Sequence, residues 1–337
     1  MIDRYMKQQL FLGNDGQEKI QHASVLVIGA GALGSSIAEM LVRAGIGELT
    51  IVDRDYVEWS NLQRQQLYSE EDAKNKLPKA IAAKNRLLEL NSSININSFI
   101  TDINAKNIDE FVKEKTILID ATDNFETRMI VNDAAIKFGV PFIFGACVAS
   151  YGITFPIIPG KTPCLNCVLE HIPSLQDTCD TVGVISPIVQ IITAFQVTSA
   201  LKLITGTEVI PLLQSYDVWK NEKADINIEK LKHKNCPTCG DLPIFPYLQS
   251  DPEMKTDILC GRDAIQLRNM SSLSLSLEEL SKRLINDVND LIVNPYLLSC
   301  SFEDYRIVLF KDGRAIIHGT NQPSQAKSIY KKIVNFQ

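Results

Sequence analysis

Residues 24–64, SVLVIGAGALGSSIAEMLVRAGIGELTIVDRDYVEWSNLQR, decide the fold. An apolar run, Val25 to Ile28, ends in GAGALG, with glycines at 29, 31 and 34. An amphipathic stretch follows from Leu33 to Ala44, and a second apolar run, Leu49 to Val52, ends at Asp53. Strand, tight turn, helix and strand make the β–α–β unit of a nucleotide-binding fold. The glycines allow the turn and a close backbone approach. The helix N-terminus offers free N–H groups and a positive dipole end to phosphate oxygens. Asp53, nineteen residues after Gly34, can accept hydrogen bonds from a ribose. Gly29, Gly31, Ala32, Gly34 and Asp53 are therefore candidate nucleotide contacts. A tight turn in an α/β core without a ligand is the plainer alternative.

The rest of the 337-residue chain is 45% hydrophobic and 22% charged overall, enough for one large domain and a smaller one. The net charge of −6 comes without a long basic block, which argues against nucleic acid as a partner. The first residues, MIDRYMKQQL, lack the apolar core of a signal peptide. Residues 187–204 are apolar but interrupted by Gln190, Gln196 and Lys202, so they read as a buried helix and not a membrane span. The cytoplasm is the expected compartment, and a disulfide framework is not expected of the eight cysteines there.

Apolar strand patterns alternate with helical ones: a helix over 77–90 opening with Pro78, a strand at 95–100, a short helix over 105–114, strand TILIDAT (116–122), helix 123–139 and strand 141–146. Such alternation means a doubly wound parallel sheet. The pattern then changes. A strand at 151–160 has no crossover helix, 160–186 reads as irregular, a long helix runs from Ser186 to about Thr205, and 212–219 with 224–231 form a hairpin, making the sheet mixed. The expected division is a nucleotide-binding domain over 1–240 with a polar arm over 1–22, a linker over 241–256, and a small α+β domain over 257–337.

Three constellations carry chemistry. Arg64 follows the second strand, Lys79 opens the next helix, and Asp123 is expected at the end of TILIDAT. Ligands of open α/β sheets bind outside the carboxyl ends of the strands, where these residues converge. A guanidinium and an ammonium neutralise a triphosphate as its leaving group departs, and a carboxylate can hold Mg²⁺. This favours ATP over NAD. The second set is CLNC (164–167) with CPTC (236–239), two knuckles 68 residues apart that can supply four sulfurs to a structural zinc; redox dithiols are the alternative. The third is Cys179 in QDTCDTVG, flanked by Asp177 and Asp180, which would raise its pKa. A functional thiol and a bystander are both open readings. Cys147, Cys260 and Cys300 lie in apolar strand patterns and read as core.

GAGALG, Asp53, SNLQRQ (60–65), Lys79, ATDN (121–124), the paired CxxC motifs and Cys179 together resemble the ThiF/MoeB/HesA family, bacterial relatives of ubiquitin-activating enzymes. The resemblance covers about residues 4–240. It implies an adenylyltransferase that activates the C-terminal glycine of a ubiquitin-like sulfur carrier ending in Gly-Gly: ThiS for thiamine or MoaD for molybdopterin. It further implies a homodimer with a zinc in each subunit. By resemblance the glycine turn meets the ATP phosphates and Asp53 the ribose. Asp55, Ser60, Asn61, Leu62, Gln63, Arg64 and Lys79 lie about the triphosphate, Asp123 serves Mg²⁺ with Asn124 beside it, and Cys179 belongs to the loop crossed by the carrier tail. The family's usual RYxRQ is RYMKQ here. Lys7 thus stands where an arginine reaches the partner subunit's ATP, keeping the charge without the bidentate fork. The tail lacks a rhodanese domain's cysteine loop and resembles that of Firmicute-type members. Two other readings are an NAD-dependent oxidoreductase and a non-catalytic zinc-stapled scaffold binding a ubiquitin-like partner.

Overall fold

The fold was analysed on a computed structural model that describes residues 4–169, 182–249, 263–267 and 275–334, and the backbone of 256–259. The chain divides into two compact units: Met1–Lys74 with Pro78–Ser250, and Asn75–Leu77 with Asp251–Gln337.

The first unit is built on an eight-stranded mixed sheet of order β3-β2-β1-β4-β5-β6-β7-β8. β1 (Ser24–Ile28), β2 (Glu48–Asp53), β3 (Asn95–Ile100), β4 (Ile117–Asp120) and β5 (Phe142–Val148) run parallel. β6 (Tyr151–Ile157), β7 (Leu212–Asp217) and β8 (Glu222–Asn227) are antiparallel additions. Val25, Leu26 and Val27 of β1 and Ile117, Leu118 and Ile119 of β4 are fully buried, as central strands covered on both faces must be. Strand order reverses between β1 and β4, and the crevice beyond their carboxyl ends is where such sheets take ligands.

The crossovers are α2 (Ala32–Ala44), α4 (Lys79–Leu90), α5 (Ile108–Val112) and α6 (Phe125–Phe138), with α1 (Met6–His22) before them and α3 (Glu70–Lys74) between β2 and α4. The sequence reading missed α3, a single turn too short to show periodicity. Pro78 lies before α4 and not inside it: it bridges Tyr56, so the chain is still extended there, as proline's ring favours. β4 ends at Asp120, and Asn124 caps α6 by accepting the Thr127 N–H at 2.9 Å; Asp123 therefore lies in the connecting loop, three residues past the strand. In the stretch read as irregular, α7 (Leu165–Leu169) carries the second cysteine of the first knuckle.

The long helix α8 (Ser186–Thr205) has the length and apolarity to cross a membrane, but it is a core helix of this domain. It packs on β5, β6, α1 and α2. Its buried Gln196 donates to the Asp120 carbonyl at 2.8 Å, and Gln190 donates to Ser36 Oγ at 2.9 Å. Residues 241–249, expected as linker, fold onto the first unit: Ile244 and Phe245 donate to the Pro237 carbonyl, and the Tyr247 N–H donates to Asp133. Their prolines punctuate a packed segment, a case that composition does not separate from a free one.

The second unit is an antiparallel sheet, β11-β12-β13-β14-β10-β9, with helices α9 (Leu277–Leu284) and α10 (Pro323–Val334) on its core. The strands are β9 (Thr256–Leu259), β10 (Ala264–Leu267), β11 (Asn289–Val293), β12 (Leu297–Phe302), β13 (Tyr305–Phe310) and β14 (Ala315–His318). β10 and β11 are short, four and five residues long. The Asp312-Gly313 turn joins β13 to β14, with Gly313 at φ 84°.

Candidate active site and metal centre

The glycine turn leaves β1 at Gly29, whose φ is 93°; a Cβ there would stand 2.5 Å from the Ala121 carbonyl oxygen after β4. At Gly34 a Cβ would meet the Gly29 carbonyl. Two of the three glycines are thus demanded by the protein's own packing. Gly31 is different. Its φ is −77°, and the nearest atom a Cβ would meet is the Gln65 amide nitrogen at 3.9 Å. A Cβ on Gly31 would make only ordinary contact, at the end of α2 where the N–H groups of Ala32, Leu33 and Gly34 have no carbonyl a turn before them. That is a cradle for an anion.

Asp53 braces this turn. Its Oδ2 accepts the Ala30 N–H at 2.6 Å and its Oδ1 the Asp55 N–H at 2.7 Å. Lys79 is 4% exposed, and its Nζ lies 3.1 Å from Asp55 Oδ2. The Pro78 bridge delivers it there, for the Lys79 N–H donates to the Asp55 carbonyl at 2.9 Å. The buried Lys79 ammonium thus pairs with Asp55, the residue whose N–H Asp53 holds. Burial raises the Asp53 pKa, with the Lys79 charge opposing it.

The loop after β2 places Arg64 through Asn61. Asn61 is buried, and its Oδ1 accepts the Glu58 N–H at 3.0 Å while the Glu58 side chain caps the Asn61 N–H. The resemblance implies Asn61 near the triphosphate; its amide oxygen braces the short helix Trp59–Asn61. The Arg64 N–H donates to the Asn61 carbonyl, and Arg64 Nη1 to the Ser60 carbonyl at 2.8 Å. Leu62 is half-buried, and Gln63 is exposed with its amide 3.5 Å from the Val184 carbonyl. Asp123 is exposed on the rim beyond Ala121. The Asn124 side-chain oxygen is engaged as the cap of α6.

Lys7 is not brought to this site. Its neighbour Gln8 donates to the Ala44 carbonyl at 2.8 Å, at the last turn of α2. Gly31 lies at the first turn, a helix of 13 residues away, or roughly 20 Å at ~1.5 Å per residue. Cys179, with Asp177 and Asp180, lies outside the described residues, as do His171 and Cys260.

A buried carboxylate and its half-buried partner escaped the sequence reading. Asp120 ends β4 as Asp53 ends β2, and Arg128 Nε stands 3.0 Å from Asp120 Oδ2. Arg128 Nη2 also donates to the Thr122 and Gly145 carbonyls, tying the loop before Asp123 to β5. An acidic residue closing an apolar run was the available signal. Burial raises the Asp120 pKa against the Arg128 charge.

The four knuckle cysteines come together. Cys164 Sγ is 4.0 Å from Cys167 and 3.6 Å from Cys236, and Cys167 is 3.5 Å from Cys239. Four thiolates ~2.3 Å from a tetrahedral zinc stand ~3.8 Å apart, so the set fits the ion and leaves no open ligand position. Backbone N–H groups of Thr238 and Cys239 point at Cys236 Sγ, each at 3.4 Å. Helix α6 aligns both knuckles. Asn132 Oδ1 accepts the Leu165 N–H at 2.8 Å, and Asp133 accepts the Thr238 hydroxyl at 2.7 Å. Cys300 is core in the second unit, where burial pushes its thiol up to about 11.

The ThiF family model matches residues 3–238. A Bacillus subtilis (strain 168) protein named sulfur carrier protein ThiS adenylyltransferase is 52% identical over 334 residues, 98% of this chain and 99% of that protein. A Thermus thermophilus sulfur carrier protein adenylyltransferase is 34% identical over 254 residues, 72% of this chain and 92% of its own. Among solved structures, Escherichia coli MccB with ATP superposes with a TM-score of 0.61 at 22% identity, covering 71% of this chain and 75% of that one; this is a likeness of fold.

Proposed function

This chain belongs to the ThiF family and is an adenylyltransferase, and from that premise we propose that it activates a ThiS-type carrier by adenylating its C-terminal glycine carboxylate. The glycine turn that Asp53 braces, with the buried Lys79 paired to the neighbouring Asp55, carries this reading. The 52% identity to a protein named for ThiS, along 98% of the chain, supports ThiS as the carrier.

In this reading a carrier carboxylate oxygen attacks the α-phosphorus of ATP, a P–O bond forms, and pyrophosphate leaves with the electron pair. The substrate brings its own nucleophile, so the enzyme orients it and stabilises charge. The N–H groups at Gly31 and Ala32 receive phosphate oxygens. Asp53 has lone pairs left for the ribose. Lys79 and Arg64 neutralise the departing pyrophosphate, with Ser60, Leu62 and Gln63 as the frame of the Arg64 loop. Asp123 would hold Mg²⁺, which supplies further neutralisation. The four cysteines would hold zinc as a structural staple. Lys7 sits a helix length from its own cradle, so it meets ATP only in a homodimer, across the interface. The reaction belongs in the cytoplasm, where ATP and carrier occur.

Pyrophosphate exchange into ATP tests the reading. Exchange that needs ThiS supports it; exchange with MoaD alone moves the carrier assignment, and hydride transfer without ATP sinks the activity. Cys179→Ala is expected to keep exchange within about twofold, because adenylation uses no protein nucleophile. A loss of exchange in that variant would place the thiol before the adenylate.

Acid pH separates function from fold. A carboxyl whose folded pKa is raised adds stability that is complete below its unfolded pKa and disappears as pH rises through the folded one. Asp53, Asp120 and Asp133 are all raised, chiefly by burial. Lowering the pH from neutral toward the ordinary aspartate range protonates them in the native state first, so these three do not drive acid unfolding. ATP affinity is expected to fall over that window while the far-ultraviolet circular dichroism holds. Unfolding that precedes the loss of ATP binding would contradict this.

A further inference from the structure

We infer that Tyr68 is a positioning residue for the phosphate turn: its hydroxyl holds the peptide between Ala30 and Gly31 so that the Gly31 N–H faces the cradle. Tyr68 is 8% exposed, and its phenol donates to the Ala30 carbonyl at 2.5 Å. In a trans peptide the C=O and the following N–H point opposite ways. Drawing the Ala30 oxygen toward Tyr68 therefore turns the Gly31 N–H to the opposite side, away from the phenol.

The peptide needs such a hold. Gly31 follows it, and glycine tolerates the backbone angles of either peptide orientation. A flipped peptide would aim a carbonyl oxygen at the phosphate. The preceding groups are already fixed, the Gly29 N–H on the Val52 carbonyl at 2.8 Å and the Ala30 N–H on Asp53. The Ala30 carbonyl is the remaining handle, and Tyr68 takes it. Burial pushes the Tyr68 phenol well above its usual value, with Asp53 adding to the shift, so the hydroxyl stays a donor. The Tyr68 N–H also donates to the Gln65 carbonyl, one residue past Arg64, so the same residue ties the arginine loop to the glycine turn.

The inference rests on ATP being the nucleotide. The test is Tyr68→Phe, which keeps the ring and removes the donor. Calorimetric titration with ATP and with adenosine reads the result in both proteins. ATP affinity is expected to fall about tenfold, one hydrogen bond's worth, while adenosine affinity stays within about twofold and Tm changes little, because the freed carbonyl turns into the cradle. ATP binding equal to wild type overturns the inference. Parallel losses for both ligands, or a variant that fails to fold, make Tyr68 a core residue only and overturn it too. A wild-type protein that binds no ATP would instead sink the functional reading itself.

Discussion

Arg64→Ala lowers ThiS-dependent pyrophosphate exchange by about 10²–10³-fold, the size of loss seen when one preorganised donor to developing charge is removed. The fold is expected to stand. Arg64 is half-buried and its guanidinium donates to the Ser60 carbonyl in its own loop, whereas the loop itself is built by the reciprocal bonds of Glu58 and Asn61. Removing a surface side chain of this kind shifts stability by only about 0.5 kcal/mol. Arg64→Lys should recover part of the rate, since it keeps the charge and loses the planar fork. A Tm within a degree or two of wild type, with exchange nearly abolished, is the expected pair of results. Exchange unchanged in Arg64→Ala would mean that the triphosphate lies elsewhere. Wild type with no exchange at all, yet with carrier binding intact, would favour the non-catalytic scaffold.

The contrast between Arg64 and Asn61 shows what a motif carries. SNLQR reads as one run of ligand contacts, and a sequence cannot tell which side chains face outward. The reciprocal cap with Glu58 gives the Asn61 amide oxygen a partner within its own loop, so that it also supports the backbone that carries Arg64. The glycine turn was more legible, because glycine spacing states backbone requirements directly. Even there the three glycines differ: packing demands Gly29 and Gly34, whereas a Cβ on Gly31 would meet only the Gln65 amide at ordinary contact. Strands β1, β2 and β4 were plain because burial on both faces writes unbroken apolar runs. Asn132 with Leu165 and Tyr68 with Ala30 were invisible because their partners are backbone groups more than thirty residues away along the chain. The long helix was legible as buried from Gln190 and Gln196, and the structure gives each glutamine a partner inside the domain. Strands β10 and β11 are short and lack clean alternation.

Cys236→Ser tests the metal centre and has the largest expected effect on stability. Cys236 is the most engaged of the four sulfurs: it is 3.6 Å from Cys164, and two backbone N–H groups and the Asn166 amide converge on it. A serine keeps the volume but offers zinc a poorly ionised hydroxyl. The ion would join the α7 knuckle to the chain's return at 236–239, 68 residues later, so its loss would free both ends at once. Structural zinc in small peptides supplies ~10–16 kcal/mol. Here α6 still holds each knuckle through Asn132 and Asp133, so the loss should be a fraction of that. A loss of ~4 kcal/mol lowers Tm by roughly 8–16 °C in a domain of this size. Zinc content by atomic absorption should fall from about one per chain to well under half, and chelation of the wild type should reproduce the Tm drop. Asp133→Ala should lower Tm while leaving most of the zinc, because it removes the alignment and not a ligand. Full zinc in Cys236→Ser would refute the four-sulfur site. A zinc-free wild type whose Tm depends on thiol reductants would return the knuckles to redox chemistry.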